Sequence, residues 1–156
     1  MILQVMQEAA EAGAVQLRKF FGQSYQISNK EGLNNLVTEA DHASEKAIVD
    51  VIHSNFPDHS VLCEEGGSMQ DGGTVKWIID PIDCTINFAN NIPICCVSIG
   101  VEKEGIMIAG IVFNQFMNEL FVAEKGKGAT LNGQKIQVSQ QAKVEKSCLV
   151  TGFPYT

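Results

Sequence analysis

The N-terminal third of the chain carries apolar residues at steps of three and four positions, the spacing of helices that bury one face. In the first stretch, from Ile2 to Phe21, they form one stripe, and Gly22 follows as a stop. A second predicted helix begins near Asp41, whose side chain could cap it, and ends before Pro57. The predicted buried face of that helix consists of Ala43, Ala47, Ile48, Val51 and Ile52.

Beyond Pro57 the apolar residues occur in short runs rich in Val, Ile, Phe and Cys. Turns that contain Gly or Asn separate the runs, as at Glu104–Gly105 and Asn132–Gly133, and such short links predict antiparallel strands. The predicted strands are Val61–Leu62, Val75–Ile79, Ile94–Val101, Ile106–Phe113, Leu120–Ala123 and Ser147–Thr151. The expected fold class is α+β, with two N-terminal helices packed on a five- to six-stranded, mainly antiparallel sheet.

Charge and cysteine content narrow the classes of partner. The chain has 156 residues, with 18 Asp and Glu against 11 Lys and Arg, for a formal net charge of −7. This acidity predicts no nucleic-acid and no membrane partner. Arg18 is the only arginine, so a site for an anion would depend on cations or backbone dipoles.

The cysteines and the first helix indicate where the protein resides. The five cysteines contain no CxxC pair, which is typical of a reducing compartment. The first helix carries several charged residues, which argues against a signal peptide or a membrane span. A cytoplasmic protein is therefore predicted.

The densest chemical signal lies where a predicted strand ends in two carboxylates, Asp80 and Asp83, with Pro81 between them. Together with the Ile82 carbonyl they offer the oxygen ligands that Mg²⁺ prefers. Thr85 opens a predicted short helix that ends at Asn90, and the free amides of its first turn would face the same place. The alternative is structural, because Asp-Pro-x-Asp is also a common turn.

Two further acidic sites stand at predicted element ends. Glu64 and Glu65 precede two glycines, and Asp41 precedes the second helix. Each has a structural alternative, as part of a solvated loop or as a helix cap. In a chain with one arginine, the three acidic sites together favour metal-dependent handling of an anion.

The motif Trp77–Phe88 resembles the first signature of the inositol monophosphatases, within the magnesium-dependent, lithium-sensitive phosphatase superfamily. Further ordered matches are Leu36–Asp41, Phe56–Glu65, Pro93–Gly100, Lys125–Ala129 and Asn132–Ser139. The resemblance implies the N-terminal half of a layered α/β/α/β/α sugar-phosphatase fold. Residues 1–156 are therefore expected to form an N-terminal α+β metal-binding domain, and the C-terminal α/β domain of the family is expected to be absent.

The same resemblance implies a set of metal ligands. Glu64, Asp80 and the Ile82 carbonyl would hold a first Mg²⁺, and Asp80 and Asp83 a second, out of two or three ions in the full-length family. Glu65 would orient a metal ligand without touching the ion. Inhibition by Li⁺ is implied as well.

For catalysis, the resemblance implies that Glu64 and Thr85, with Asp41 behind Thr85, position and deprotonate a metal-activated water. The amides of Cys84 and Thr85 would hold the phosphate, and Asp83 would also touch the substrate alcohol. Lys30 stands where the family often has a lysine in a mobile loop.

One departure from the family concerns Cys84, which replaces a glycine. A positive φ there would cost a residue with a Cβ about 1–2 kcal/mol. A thiol-phosphatase mechanism at Cys84 is excluded, because such enzymes need an arginine a few residues later and the only arginine is Arg18.

The expected function is Mg²⁺-dependent hydrolysis of a phosphate monoester, with inositol monophosphate as the substrate and inositol and phosphate as the products. A homodimer that acts on a small phosphorylated polyol or sugar is implied. Close relatives that act on fructose bisphosphate or adenosine bisphosphate are an alternative within the class. The alternative from another class is a truncated, catalytically weak or inactive half-protein that acts at most as an interaction module. It is motivated by Cys84 and by the missing C-terminal metal ligand.

Overall fold

The computed structural model describes residues 1–22, 27–29, 36–64, 67–69 and 73–151. Three α-helices lie in these ranges: α1 (Ile2–Phe20), α2 (Glu39–Asn55) and the short α3 (Thr85–Ala89). The strands are β1 (Ile27–Asn29), β2 (Leu36–Thr38), β3 (Ser60–Cys63), β4 (Gly67–Met69), β5 (Val75–Asp83), β6 (Cys96–Lys103), β7 (Ile106–Asn114), β8 (Glu119–Glu124), β9 (Gly128–Leu131) and β10 (Gln134–Ile136). Within the described ranges, no helix is long and apolar enough to cross a membrane.

Eight of the described strands form one sheet in the order β10-β9-β8-β7-β6-β5-β3-β4. All neighbours are antiparallel except β3 and β5, which run parallel. Strands β1 and β2 pair separately. The predicted α+β class with a mainly antiparallel sheet is confirmed, and the sheet has more strands than the expected five or six. The additional short strands β4, β9 and β10 lie at its two ends, where hydrophobic runs are weakest.

The last predicted strand, Ser147–Thr151, is wrong. These residues follow a 3₁₀ turn at Val144–Lys146 and pair with no other strand of the described chain. Leu149 and Val150 are 73% and 99% exposed. An apolar run becomes a strand only when a neighbouring strand takes its backbone hydrogen bonds, and no strand of the described sheets lies in register with this run.

Helices α1 and α2 cover one face of the sheet. Their buried residues share a core with alternate residues of the central strands, including Trp77, Ile79, Val97 and Ile99. The two helices approach closely at Gly13, where an added Cβ would lie 2.8 Å from the side chains of Ile48 and Ser44. Because Gly13 carries no side chain, α2 can lie against α1 and against β5 together.

Helix α2 differs from its prediction in two ways. It begins at Glu39, so Asp41 lies inside the first turn and does not precede it as a cap. Its buried face includes Ile48 and Ile52 as predicted, but it also buries three polar residues, Asp41, Ser44 and Glu45. Apolar periodicity could not reveal these, since burial of polar side chains depends on partners that other elements supply.

The fully buried Trp77 finds its hydrogen-bond acceptor in His59. The indole Nε1 donates to His59 Nδ1 at 2.9 Å, and the imidazole stacks on Phe56 with ring centroids 4.5 Å apart. Burial lowers the pKa of His59, while nearby Asp58 opposes that shift. The neutral imidazole is the form that accepts this hydrogen bond, so His59 has a structural role that fixes the start of β5.

Replacement of His59 by alanine is expected to lower the free energy of unfolding by about 1–3 kcal/mol, because the buried Trp77 N–H loses its acceptor. The contribution of His59 to the free energy of unfolding is fully present above pH 6.5, the pKa of His59 in the unfolded chain. It is lost as the pH falls below that value, because the pKa of His59 in the folded protein is lower and the unfolded chain binds the proton first. Urea unfolding at pH 7.5 and pH 5.5 measures both effects. The exposed His42→Ala variant serves as the control, and an equal loss in the two variants would contradict this role.

Candidate functional site

The parallel pairing of β3 with β5 brings the first two acidic sites together. Cys63, the last residue of β3, is in register with Ile79. One residue further, the Glu64 amide donates to the Ile79 carbonyl at 3.2 Å. Glu64 is exposed and Asp80 is half-buried. The two carboxylates therefore leave neighbouring strands at the same end, and the sequence could not show that β3 and β5 are neighbours.

Beyond Asp80 the regular pairing of β5 with β6 is interrupted. The register shifts between Asp80 and Asp83, where Pro81 has no amide hydrogen to donate. The Ile82 amide turns back and donates to Asp80 Oδ1 at 3.1 Å. The Ile82 carbonyl accepts from the Thr85 hydroxyl at 3.0 Å. In this irregular segment the Ile82 amide and carbonyl bond to the side chains of Asp80 and Thr85.

Helix α2 lies behind this segment. The Ser44 hydroxyl donates to the Pro81 carbonyl at 3.4 Å, which links α2 to the irregular part of β5. Asp41, one turn before Ser44, is only 3% exposed. The sequence points to Asp41 but not to Ser44, because a serine on a helix gives no signal of its own.

The charges of three other carboxylates act on the Asp80 carboxylate. Burial raises the pKa of Asp80 to about 7, and the charges of Glu64, Asp83 and Asp41 add to the rise in that order. The hydrogen bond from the Ile82 amide acts in the opposite direction. Such a set of like charges is costly unless protons or a cation neutralise part of it. The structure thus brings together Asp41, Glu64, Asp80 and Asp83 from three elements.

The oxygen atoms that this site offers are of the type that a hard cation binds. Carboxylates of Glu64, Asp80 and Asp83 and the carbonyl of Ile82 are all oxygen ligands, the type that Mg²⁺ takes. Their spacing is open, because no three His, Cys, Asp or Glu side chains of the described residues lie close enough to hold an ion as they stand.

The residue before α3 has the positive φ that the sequence analysis considered. Cys84 lies in the left-handed region, with φ 70° and ψ 52°. Its carbonyl accepts from the amides of Asn87 and Phe88, at 2.9 and 3.2 Å, and so starts the helix. Most of the side chain is exposed, but its partial removal from water raises the pKa of the thiol, and the charge of Asp83 adds to the rise. A raised thiol pKa also argues against Cys84 as a nucleophile.

Replacement of Cys84 by glycine is expected to raise the free energy of unfolding by about 0.5–1 kcal/mol. A left-handed residue with a Cβ carries about 1–2 kcal/mol of strain, and the greater freedom of glycine in the unfolded chain offsets part of the relief. Urea denaturation compares it with Cys84→Ala, which keeps the Cβ and should bring no gain. Equal stabilities of the glycine and alanine variants would contradict backbone strain at this position.

Several site residues fall outside these observations. Lys30 and Glu65 lie outside the described residues. Glu45 gives no signal in the sequence: it is buried on α2, and its Oε2 has no hydrogen-bond partner among the residues that the structure describes. It contributes, after burial, to the rise of the Cys63 pKa to about 12.

The helices on one face of a mixed sheet, with acidic residues at the ends of β3 and β5, form the N-terminal half of the sugar-phosphatase fold. The inositol monophosphatase family matches residues 1–156. An inositol-1-monophosphatase of Synechocystis is 44% identical over 154 residues, which is 98% of this chain and 54% of that protein. The chain belongs to the inositol monophosphatase family.

Relatives with another name share the same fold. The Nus factor SuhB of Haemophilus influenzae is 38% identical over 94% of this chain and 55% of its own length. The crystal structure of the extragenic suppressor protein suhB from Bartonella henselae superposes with a TM-score of 0.86 at 34% identity, over 90% of this chain and 55% of the other. The chain spans about half the length of the curated relatives it matches.

Proposed function

We propose that the protein is a Mg²⁺-dependent hydrolase of phosphate monoesters, with inositol monophosphate as its substrate, and that residues 1–156 are the N-terminal metal-binding domain of that enzyme. The observation that carries the proposal is the convergence of Glu64, Asp83 and Asp41 on Asp80. A negative cluster of this kind repels a phosphate unless cations lie between them. Membership of the family supports the same reaction class.

In this proposal Glu64, Asp80, Asp83 and the Ile82 carbonyl hold the cations. Bound Mg²⁺ supplies charge neutralisation and lowers the pKa of water. The Ile82 amide holds the Asp80 carboxylate through a 3.1 Å hydrogen bond. The Ser44 hydroxyl steadies the backbone of the same segment through the Pro81 carbonyl.

The attacking water is positioned by Thr85 and Glu64. The Thr85 hydroxyl already donates its proton to the Ile82 carbonyl, so its lone pairs remain to accept a hydrogen bond from water. Since Thr85 orients the water, a carboxylate must take the proton, and in this proposal Glu64 takes it. Asp41 adds negative charge behind the site.

The phosphate is held by the amides of Cys84 and Thr85, and Asp83 contacts the substrate alcohol. An open groove of about 490 Å³ adjoins Glu64 and Asp80 and is otherwise lined mostly by apolar residues, among them Leu62, Ile78 and Met107. The groove gives a small phosphorylated molecule access to the carboxylates from the sheet face that the helices leave open.

The reaction is tested by phosphate release from inositol 1-phosphate by the purified chain. Release is expected with Mg²⁺, none with EDTA, and a loss of about 100-fold in Asp83→Asn, because the variant removes a charge at the cation site. The exposed Asp50→Asn variant should keep full activity and controls for the loss of one carboxylate. Residual release by Asp83→Asn, purified in the same way, sets the limit on contaminating phosphatases. Release that EDTA leaves unchanged would contradict the proposal.

The second candidate is a half-protein with little or no turnover. The departure at Cys84 favours it, because this residue carries a Cβ at a left-handed position beside Asp83, where the family has a glycine. Mg²⁺ binding without phosphate release would select this candidate. Release that depends on both Mg²⁺ and Asp83 would exclude it.

A further inference from the structure

The short helix α3 carries Thr85 at its start and depends on other elements for its position. It has five residues, and no side chain caps its N-terminus. A helix of one turn is not stable in water without tertiary packing. Of its residues only Phe88 is buried, and the Phe88 side chain is fully removed from solvent. The contacts of Phe88 therefore supply the apolar packing that holds α3.

Two other phenylalanines surround the Phe88 ring. Phe21 meets it edge to face, with ring centroids 5.5 Å apart, and the Phe116 centroid lies at 6.2 Å. The Phe21 and Phe116 centroids are themselves 4.0 Å apart. The three rings form one aromatic cluster, in which each ring contacts the other two, and such pairs stabilise beyond the area that they bury.

The aromatic cluster connects α3 to elements that are distant in the chain. Phe21 follows the last residue of α1, and Phe116 lies in the turn between β7 and β8. A hydrogen bond supports the first connection, because the Gly22 amide donates to Asn91 Oδ1 at 3.0 Å. The end of α1 is thus bound both to α3 and to the residues that follow it.

Phe88 and Thr85 belong to the same helical turn. Residues three apart in a helix lie next to each other on one face. The Phe88 amide donates to the Cys84 carbonyl at 3.2 Å, and the Thr85 hydroxyl donates to the Ile82 carbonyl at 3.0 Å. Because a hydrogen-bonded turn joins the Phe88 ring to the Thr85 hydroxyl, a shift of the ring also moves the hydroxyl.

We propose that Phe88, held by Phe21 and Phe116, is a positioning residue that fixes the Thr85 hydroxyl where it orients the attacking water. This inference rests on the proposed hydrolase function, and Phe88 itself contacts neither substrate nor cation in it. The proposed cation ligands all precede α3 in the chain. Loss of the Phe88 ring should therefore affect turnover and leave Mg²⁺ binding intact.

Phe88→Leu tests the positioning role, because leucine keeps an apolar side chain and removes the ring. The kcat for phosphate release from inositol 1-phosphate is expected to fall about tenfold or more, since a displacement of about 1 Å can cost about 100-fold. The Mg²⁺ affinity, measured by calorimetry, should remain that of the wild type. Phe56→Leu is the matched control: it loses the ring stacked on His59, before the start of β5, and should keep its kcat.

The other two rings of the cluster provide variants that disturb the core less. Phe21 and Phe116 are partly buried, and replacement of either by leucine should lower kcat in the same direction by a smaller factor. The double variant Phe21→Leu/Phe88→Leu should lose less than the product of the two single losses, because both changes remove the same contact. These variants decide the question even if Phe88→Leu fails to fold.

Amide hydrogen exchange with mass spectrometry follows α3 in the absence of substrate. The Asn87 and Phe88 amides, which bond to the Cys84 carbonyl, should exchange faster in Phe88→Leu and Phe116→Leu than in the wild type and Phe56→Leu. Peptides from β5 and β6 should exchange as in the wild type.

The outcomes separate this inference from the proposed function. An active wild type with an unchanged kcat in Phe88→Leu would overturn the positioning role, and so would a parallel loss of Mg²⁺ affinity. Equal exchange of α3 in all variants would overturn it as well. A wild type without Mg²⁺-dependent release would contradict the proposed function, and the exchange of α3 then decides alone whether Phe88 fixes the place of Thr85.

Discussion

In the absence of divalent cations, replacement of Asp80 by asparagine is expected to stabilise the protein at pH 8 by about 1–2 kcal/mol. The folded pKa of Asp80 is raised to about 7 from its ordinary 3.8, first by burial and then by Glu64, Asp83 and Asp41. At pH 8 the carboxyl is ionised against this environment, and asparagine removes the charge. The magnitude is reduced from the full linkage value because the cluster opens to solvent.

The pH dependence distinguishes this charge effect from a gain in stability that is the same at every pH. A raised folded pKa means that the folded protein binds more protons than the unfolded chain between pH 3.8 and about 7. The wild type therefore loses stability as the pH rises through that window, and the variant does not share this loss. The advantage of Asp80→Asn should shrink by more than half at pH 5. Urea unfolding in EDTA measures it, with exposed Asp50→Asn as the control, and an advantage that is equal at both pH values would contradict the assigned cause.

Replacement of Gly13 by leucine is expected to cost about 2–4 kcal/mol of unfolding free energy. Even a Cβ at this position would lie 2.8 Å from side-chain atoms of Ile48 and Ser44, so a larger side chain forces α1 and α2 apart. The better helix propensity of leucine offsets about 1 kcal/mol of that cost.

The position of Ser44 extends the consequence to the site. Its hydroxyl faces Gly13 and also donates to the Pro81 carbonyl beside Asp80. We therefore expect Gly13→Leu to weaken Mg²⁺ binding as well as stability. Val15→Leu, at an exposed position of the same helix, is the matched control for urea unfolding, and equal stabilities of the two variants would contradict close packing at Gly13.

Local sequence signals were sufficient where neighbouring residues determine the structure. The apolar stripe of α1 and its end before Gly22 are as predicted. So are the turns at Glu104–Gly105 and Asn132–Gly133, where both residues of each pair have positive φ. The candidate site residues Glu64, Asp80 and Asp83 could be selected because the family motif marks them, whereas their positions at strand ends alone fit a turn or a solvated loop as well.

Features that depend on distant partners were not predictable. The burial of Ser44 and Glu45 depends on β5 and on Cys63, which lie far along the chain. The role of His59 depends on the indole of Trp77. The parallel neighbours β3 and β5, which bring Glu64 beside Asp80, are not evident from either strand alone. In each case a polar group is placed by its hydrogen-bond or charge partner, and periodicity carries no information about that partner.

Calorimetric titration of Mg²⁺ into the metal-free chain at pH 8 tests most directly whether the carboxylates around Asp80 form a cation site. The wild type and the exposed Asp50→Asn variant are expected to show saturable binding with the same affinity. Asp80→Asn is expected to lose it, because the variant removes the charge on which Glu64, Asp83 and Asp41 converge. Absence of saturable heat with the wild type, or equal binding by Asp80→Asn, would contradict the assignment of these residues to a Mg²⁺ site.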